Sequence, residues 1–501
     1  MRWYWDELSK RRNLQSVSTS TSPTDLTSRS ATQLAAAIAG KEASSREVLD
    51  AFLDRIARLD GPINAVVTID APRARAEAEA ADVAVARGDA LGPLHGVPMT
   101  VKDSLMTAGM RTTSGAPELS EFVPDVDAHA VAAMRRAGAV IFGKTNLPIY
   151  AGDFQTFNEV FGTTNNPYDL SRVPGGSSGG SAAALACRFT PIEIGSDIGG
   201  SIRLPAHMSG VAGLKPSYGV VPAHGQIPGP PGTLTLADLA VIGPMARTID
   251  DLALGLGLMS GPNRWDAPAW RLDLPPARTT DPKQLRIATW LDDERCPVEP
   301  EVRTLLEGAA TILLGMSAVV DDTARPSFSL TKAADTFEAL LIAALAGGYS
   351  RDEVDRFATD DRDSTVGHAH RLTAMRHREW QSFNERRLQM RLRWEEFFGS
   401  GYDVILLPVM PCVAIPHDQS EPQSARVARI GGVDRPYSDC MTWMAPAGLA
   451  HLPATVVPVG RTAAGMPVGI QIVGPYLHDR MTLEVGRLLL DALGGCPSPD
   501  L

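Results

Sequence analysis

The chain has 501 residues, 44% hydrophobic and 21% charged. Those proportions exclude a disordered chain or a fibre and suffice for one large α/β domain or two modest ones. Its 47 basic against 58 acidic residues leave a formal charge of −11, which argues against a nucleic-acid partner. Cysteines 187, 296, 412, 440 and 496 are odd in number and form no C-x-x-C pair. Neither a disulfide framework nor a cysteine zinc site is expected, and a reducing compartment fits.

No apolar run approaches the ~18 residues of a membrane helix, and the N-terminus MRWYWDELSKRR places charges where a signal peptide is apolar. The expectation is a cytoplasmic protein without a membrane partner. Residues 1–29, rich in Ser and Thr from Gln15 onward, read as a flexible lead-in. Ser30-Ala-Thr-Gln33 and Ser44-Ser-Arg-Glu47 have capping-box spacing, each ahead of apolar residues at helical period. Helices are predicted over 71–88, 127–137 and 480–493. Strands are predicted at 96–101, 139–142, 285–290, 404–407, 454–459 and 468–473. The alternation predicts an α/β fold with helices over a mixed sheet. Stretches 223–233 and 410–424 are loops by composition. Region 326–400 is helical and reads as a buttress, with a cap over a pocket as the alternative.

Two Gly/Ser islands carry the chemistry: Pro174-Gly-Gly-Ser-Ser-Gly-Gly-Ser181 and Gly195-Ser-Asp-Ile-Gly-Gly-Ser-Ile-Arg203. An apolar run follows the first (AAALAC) and another precedes the second (IEI), which would not be so for a linker. The glycines at 199 and 200 can aim successive N–H groups at one anion. No lysine follows either island as a nucleotide-phosphate loop requires. Acyl transfer remains, with a serine nucleophile and backbone donors for a tetrahedral oxyanion. A nucleophile elbow at Ser177 or Ser178 is disfavoured, because the polar, proline-containing residues 165–174 make a poor central strand. Only seven of the 47 basic residues are lysine. Lys102 ends a short apolar strand, where burial would lower its pKa and make it a base; pairing with Asp103 is the plainer alternative.

Three pieces together resemble the amidase signature family: GVPMTVKD at 96–103, PGGSSGGS at 174–181 and GSDIGGSIRLPA at 195–206. Supporting pieces are FGKTNLP at 142–148, FGTTNNP at 161–167, GVAGLKPSYG at 210–219 and a C-terminal PVGIQIVG. The similarity spans roughly residues 30–495. It implies a single domain with a mixed central sheet flanked by helices on both faces, and a Ser–cis-Ser–Lys triad. Ser201 would be the nucleophile, Ser177 the bridging serine after a cis Gly176–Ser177 bond, and Lys102 the base. The N–H groups of Ile198, Gly199, Gly200 and Ser201 would form the oxyanion hole. Ser178 would support the site by hydrogen bonds, and Asp197 and Arg203 would form a buried pair behind it. His207 is close in sequence, but a structural role is the simpler reading. The resemblance calls for no metal or cofactor.

For the pocket, the residues after the TN-x-P motif (Tyr150, Ala151 and Gly152), together with Met441, Trp443, Met444 and the apolar run 337–346, are the candidates. They predict a roomy apolar cavity for aryl or alkyl amides, anilides, carbamates (urethanes) and, secondarily, esters. The partner would be that small molecule, and the chain would act as monomer or homodimer. The amidase component of a glutamine-dependent tRNA amidotransferase is the alternative within the family, and the apolar pocket weighs against it. A non-catalytic binding protein on the same scaffold is the other.

Overall fold

The computed structural model describes residues 25–227 and 232–500; most of the Ser/Thr-rich lead-in and the centre of the 223–233 loop lie outside them. Both capping boxes form: Ser30 and Ser44 accept from the N–H groups of Gln33 and Glu47, whose side chains reach back to the cap N–H groups. They start helices Ala31–Ala39 and Ser45–Leu59, the second burying Val48, Phe52 and Ile56.

The main sheet has eight strands in the order Val319–Asp321, Arg286–Thr289, Val404–Pro408, Pro467–Val473, Ala454–Arg461, Ala212–Lys215, Val241–Ala246, Ile192–Asp197. The first three run parallel and every later pairing is antiparallel. Val404–Pro408 and Pro467–Val473 are buried along their whole length, so their apolar runs fit strands covered on both faces. Helices Ile249–Met259, Pro300–Gly315 and Asp479–Ala492 form one layer on the sheet. Gly179–Ala186 and Arg203–Ser209 pack together in another. The result is one mixed α/β domain.

A second, three-stranded sheet places the lysine. Val140–Thr145 lies between Val66–Ile69, antiparallel, and Pro98–Lys102, parallel, with Lys102 opposite Thr145. Pro98–Lys102 also packs against the edge strand Ile192–Asp197, and Thr100 Oγ1 donates to Glu193 across that seam at 2.5 Å. The end of one strand is thereby held against the start of the second Gly/Ser island.

Candidate active site

Lys102 is fully buried, and its Nζ has three hydroxyl neighbours: Ser177 Oγ at 2.6 Å, Ser178 Oγ at 2.9 Å and Ser196 Oγ at 2.9 Å. Three hydroxyl partners match the three N–H donors of an ammonium, or the two donors and the lone pair of a neutral amine. Ser178 Oγ lies 3.4 Å from the Ser196 carbonyl, the acceptor for its hydroxyl hydrogen, so it accepts from the lysine. In the neutral form the lone pair is left for a hydroxyl hydrogen. Burial pushes the Lys102 amine down to about 7, and Asp197 and Glu193 oppose the shift. Burial likewise raises the Glu193 carboxyl to about 7. Asp103 is not the lysine's partner: its Oδ2 accepts from the Thr113 N–H and hydroxyl at 2.9 and 2.6 Å. Ser196 is a neighbour the sequence reading passed over, although it stands inside the GSD triplet of the second island.

The Gly176–Ser177 peptide is cis. Ser178 N–H donates to the Ser201 carbonyl at 3.2 Å, which ties the two islands together. Ser201 is 8% exposed and lines a cavity of about 440 Å³ with Ile198 and Gly199. The N–H groups of Ile198, Gly199 and Ser201 have no acceptor among the described residues. Gly200 departs from the expected donor set, because its N–H already donates to Asp197 Oδ1 at 3.0 Å. Asp197 also binds Arg203 through two bonds of 3.0 and 2.9 Å, and the Ile202 N–H at 3.2 Å. Burial opposes its ionisation, but the Arg203 guanidinium outweighs that and holds the carboxyl below the usual range. The pair thus fixes the turn that presents Ser201.

Of the pocket candidates, Ala151, Gly152 and Met441 line the cavity, as do Phe337, Leu341, Ile342 and Leu345. The other three do not. Tyr150 turns outward and donates to Glu118 at 2.5 Å. Trp443 is wholly buried, donating to the Cys296 carbonyl at 3.1 Å with its ring edge-on to Trp290. Met444 packs beneath Gly200. Apolarity alone does not say which side of the 3₁₀ segment Tyr437–Met444 faces the cavity. Region 326–400 does more than buttress, since helices Leu330–Leu345 and Thr365–Thr373 both supply cavity wall. Sequence reading missed Phe154, Arg295, His368 and Tyr437 on that wall; no local motif marks them. Phe154 and Tyr437 stack at 3.8 Å, and Tyr437 donates to Asp153 at 2.7 Å.

His207 is buried against the sheet, with Nδ1 accepting from the Gly469 N–H at 3.0 Å and Nε2 3.1 Å from the Cys412 carbonyl. It is structural. No group of His, Cys, Asp and Glu side chains that could hold a metal ion forms among the described residues, and none of their helices is long and apolar enough to cross a membrane.

A mixed α/β fold that holds a buried lysine against one serine-rich turn and opens a second serine turn to a cavity points to a class of hydrolase. The family model "Amidase" matches residues 47–483, and the chain belongs to that family. The A subunit of glutamyl-tRNA(Gln) amidotransferase from Acidothermus cellulolyticus is 34% identical over 498 residues, covering 93% of this chain and 94% of its own. A bacterial aryl acylamidase of the amidase signature family superposes with a TM-score of 0.78 at 25% identity, over 94% of this chain and 97% of its own. The A subunit of the glutamyl-tRNA(Gln) amidotransferase from Thermotoga maritima gives 0.76 at 26% identity, over 96% and 99%.

Proposed function

We propose that this chain hydrolyses the C–N bond of aryl and alkyl amides, carbamates included, through a serine acyl-enzyme. The observation that carries the reading is Lys102 Nζ at 2.6 Å from Ser177 Oγ, with burial holding the amine near neutral pH. Neutral Lys102 accepts the Ser177 proton as Ser177 takes the one from Ser201, whose oxygen attacks the carbonyl. The oxyanion is met by the N–H groups of Ile198, Gly199 and Ser201. Collapse returns the proton by the same relay to the leaving nitrogen, and the amine departs. Water then attacks the ester by the reverse route and releases the acid. Gly176 sets the turn that aims Ser177, and Ser178 holds the lysine in place.

The apolar wall of Phe337, Leu341, Ile342, Leu345 and Met441 favours substrates with aryl or alkyl bulk. The test is hydrolysis of a nitroanilide, an aryl carbamate, a nitrophenyl ester and glutamine by wild type and Ser201→Ala. Anilide turnover that disappears in Ser201→Ala is expected; turnover retained there ends the proposal.

A second reading has its own support, because the amidotransferase A subunit is similar over nearly the whole chain. On that reading the chain releases ammonia from glutamine as part of an assembly. Ammonia release from glutamine with inert anilides would select it, whereas anilide hydrolysis by the isolated chain, as monomer or homodimer, selects the first.

A further inference from the structure

We propose that Arg295 is a specificity residue that binds a carboxylate carried by the substrate away from its scissile bond. The proposal rests on the amide-hydrolase reading above and adds to it the class of amide. Arg295 is the one lysine or arginine among the described residues lining the cavity, and a third of its side chain is exposed. The same wall carries the carboxylates of Asp153, Glu338 and Glu421 and the imidazoles of His368 and His370, and a partly buried guanidinium is costly unless it is held.

It is held closely. Its N–H donates to Asp293 Oδ1 at 3.0 Å and its carbonyl accepts from Arg435 Nη2 at 2.8 Å. The neighbouring Cys296 carbonyl accepts from Trp443 Nε1 at 3.1 Å. At its tip, Nη1 donates to Asp439 Oδ1 at 2.9 Å. Asp439 is buried, and its other oxygen accepts from Arg435 Nε at 2.7 Å. One carboxylate therefore serves two guanidiniums, and the trio keeps a net positive charge.

The remaining N–H groups of the Arg295 guanidinium meet no acceptor among the described residues. Glu338, on the same wall, and Asp335 both interact with its charge, but neither forms an ion pair with it, and the Glu338 carboxylate faces His368 Nε2 at 3.6 Å. Arg426 shows the contrast. All three of its nitrogens are satisfied, by Ser420, Asp153 and Glu421, and it does not line the cavity. A pre-oriented fork with unmade bonds suits a carboxylate.

Two matched pairs test this: the 4-nitroanilides of glutaric and pentanoic acids, and N-butyryl 4-aminobenzoate against N-butyryl 4-methylaniline. In at least one pair the carboxylated member should have about tenfold higher kcat/KM through a lower KM, as expected of a charge-assisted bond made in ground and transition state alike. Arg295→Gln should reduce that preference at least tenfold, and Arg295→Lys should fall between. No preference in either pair with wild type, or an unchanged ratio in Arg295→Gln, overturns the proposal. If Arg295→Gln does not fold, the wild-type ratios and Arg295→Lys decide. Calorimetric titration of glutarate into wild type reads the anion site even if no amide is cleaved, which separates failure here from failure of the hydrolase reading.

Discussion

Met444 lies directly under Gly200: a Cβ added to the glycine would come within 2.7 Å of Met444 Cγ and 2.8 Å of its sulfur. Gly200 also has φ +115°, a conformation that L side chains rarely adopt. The turn before Ser201 is therefore defined from below by packing and from within by backbone geometry. Gly200→Ala should displace the N–H groups of Gly199 and Ser201 from the oxyanion. Losing one such donor costs about 10²–10³ in kcat, and a fall of that order with little change in KM is expected. Steady-state kinetics on a nitroanilide check it, and full activity would show that the turn tolerates a shift.

The lysine's environment sets a pH profile. Burial lowers Lys102 to about 7, so below that pH it already carries the proton that the proposed relay has it receive from Ser177. kcat/KM should fall about tenfold for each pH unit below 7 and level off above it, because this parameter reports the free enzyme. Lys102→Met should reduce turnover by about 10²–10⁴ and abolish that limb. A flat profile from pH 5 to 9 in the wild type would rule out a neutral lysine as the base.

The sequence was legible wherever chemistry is local. Capping boxes at Ser30 and Ser44 need only four adjacent residues, and both formed. Lys102 stood out because lysines are scarce and a charge ending an apolar strand calls for a reason. The cavity wall was harder to read, because it gathers residues near 151, 198, 295, 341, 368 and 441, and no local pattern joins them. Within Tyr437–Met444, Ser438, Met441 and Thr442 line the cavity whereas Trp443 and Met444 are buried in the core. Composition cannot choose between the two sides. Gly200 was misassigned for a similar reason: the motif shows an N–H, but only the fold shows Asp197 already accepting from it.

The Asp197–Arg203 pair should matter more to stability than an exposed ion pair would, since the two side chains are 1% and 0% exposed. Removing one partner of a buried pair leaves the other uncompensated, at about 3–5 kcal/mol. Asp197→Asn should lower stability by that amount at pH 7 in denaturant unfolding. Arg203 holds the Asp197 carboxyl below the usual range despite the opposing burial. Its contribution is therefore present above the unfolded value of about 3.9 and is lost as pH falls through the lower folded value. The gap between wild type and Asp197→Asn should narrow in that acid range. A gap independent of pH would point to lost packing instead.

Leu341 packs over Gly199, beside the proposed oxyanion site. Its Cδ2 is 3.3 Å from where a Gly199 Cβ would stand, and Met441 sulfur is 3.6 Å from the same point. Helix Leu330–Leu345 therefore brings Leu341 against one of the proposed oxyanion donors. Leu341→Trp should reduce kcat/KM for an anilide with a branched or aryl acyl group and largely spare the acetyl anilide. Leu341→Ala should shift the preference towards the bulkier compound. A methylene of pocket space is worth about 10–200-fold in discrimination, so a change of at least tenfold in the bulky-to-acetyl ratio is expected across the two variants. Measuring kcat/KM for both anilides with each variant decides the matter, and a ratio that stays constant would mean that the acyl group lies elsewhere in the cavity.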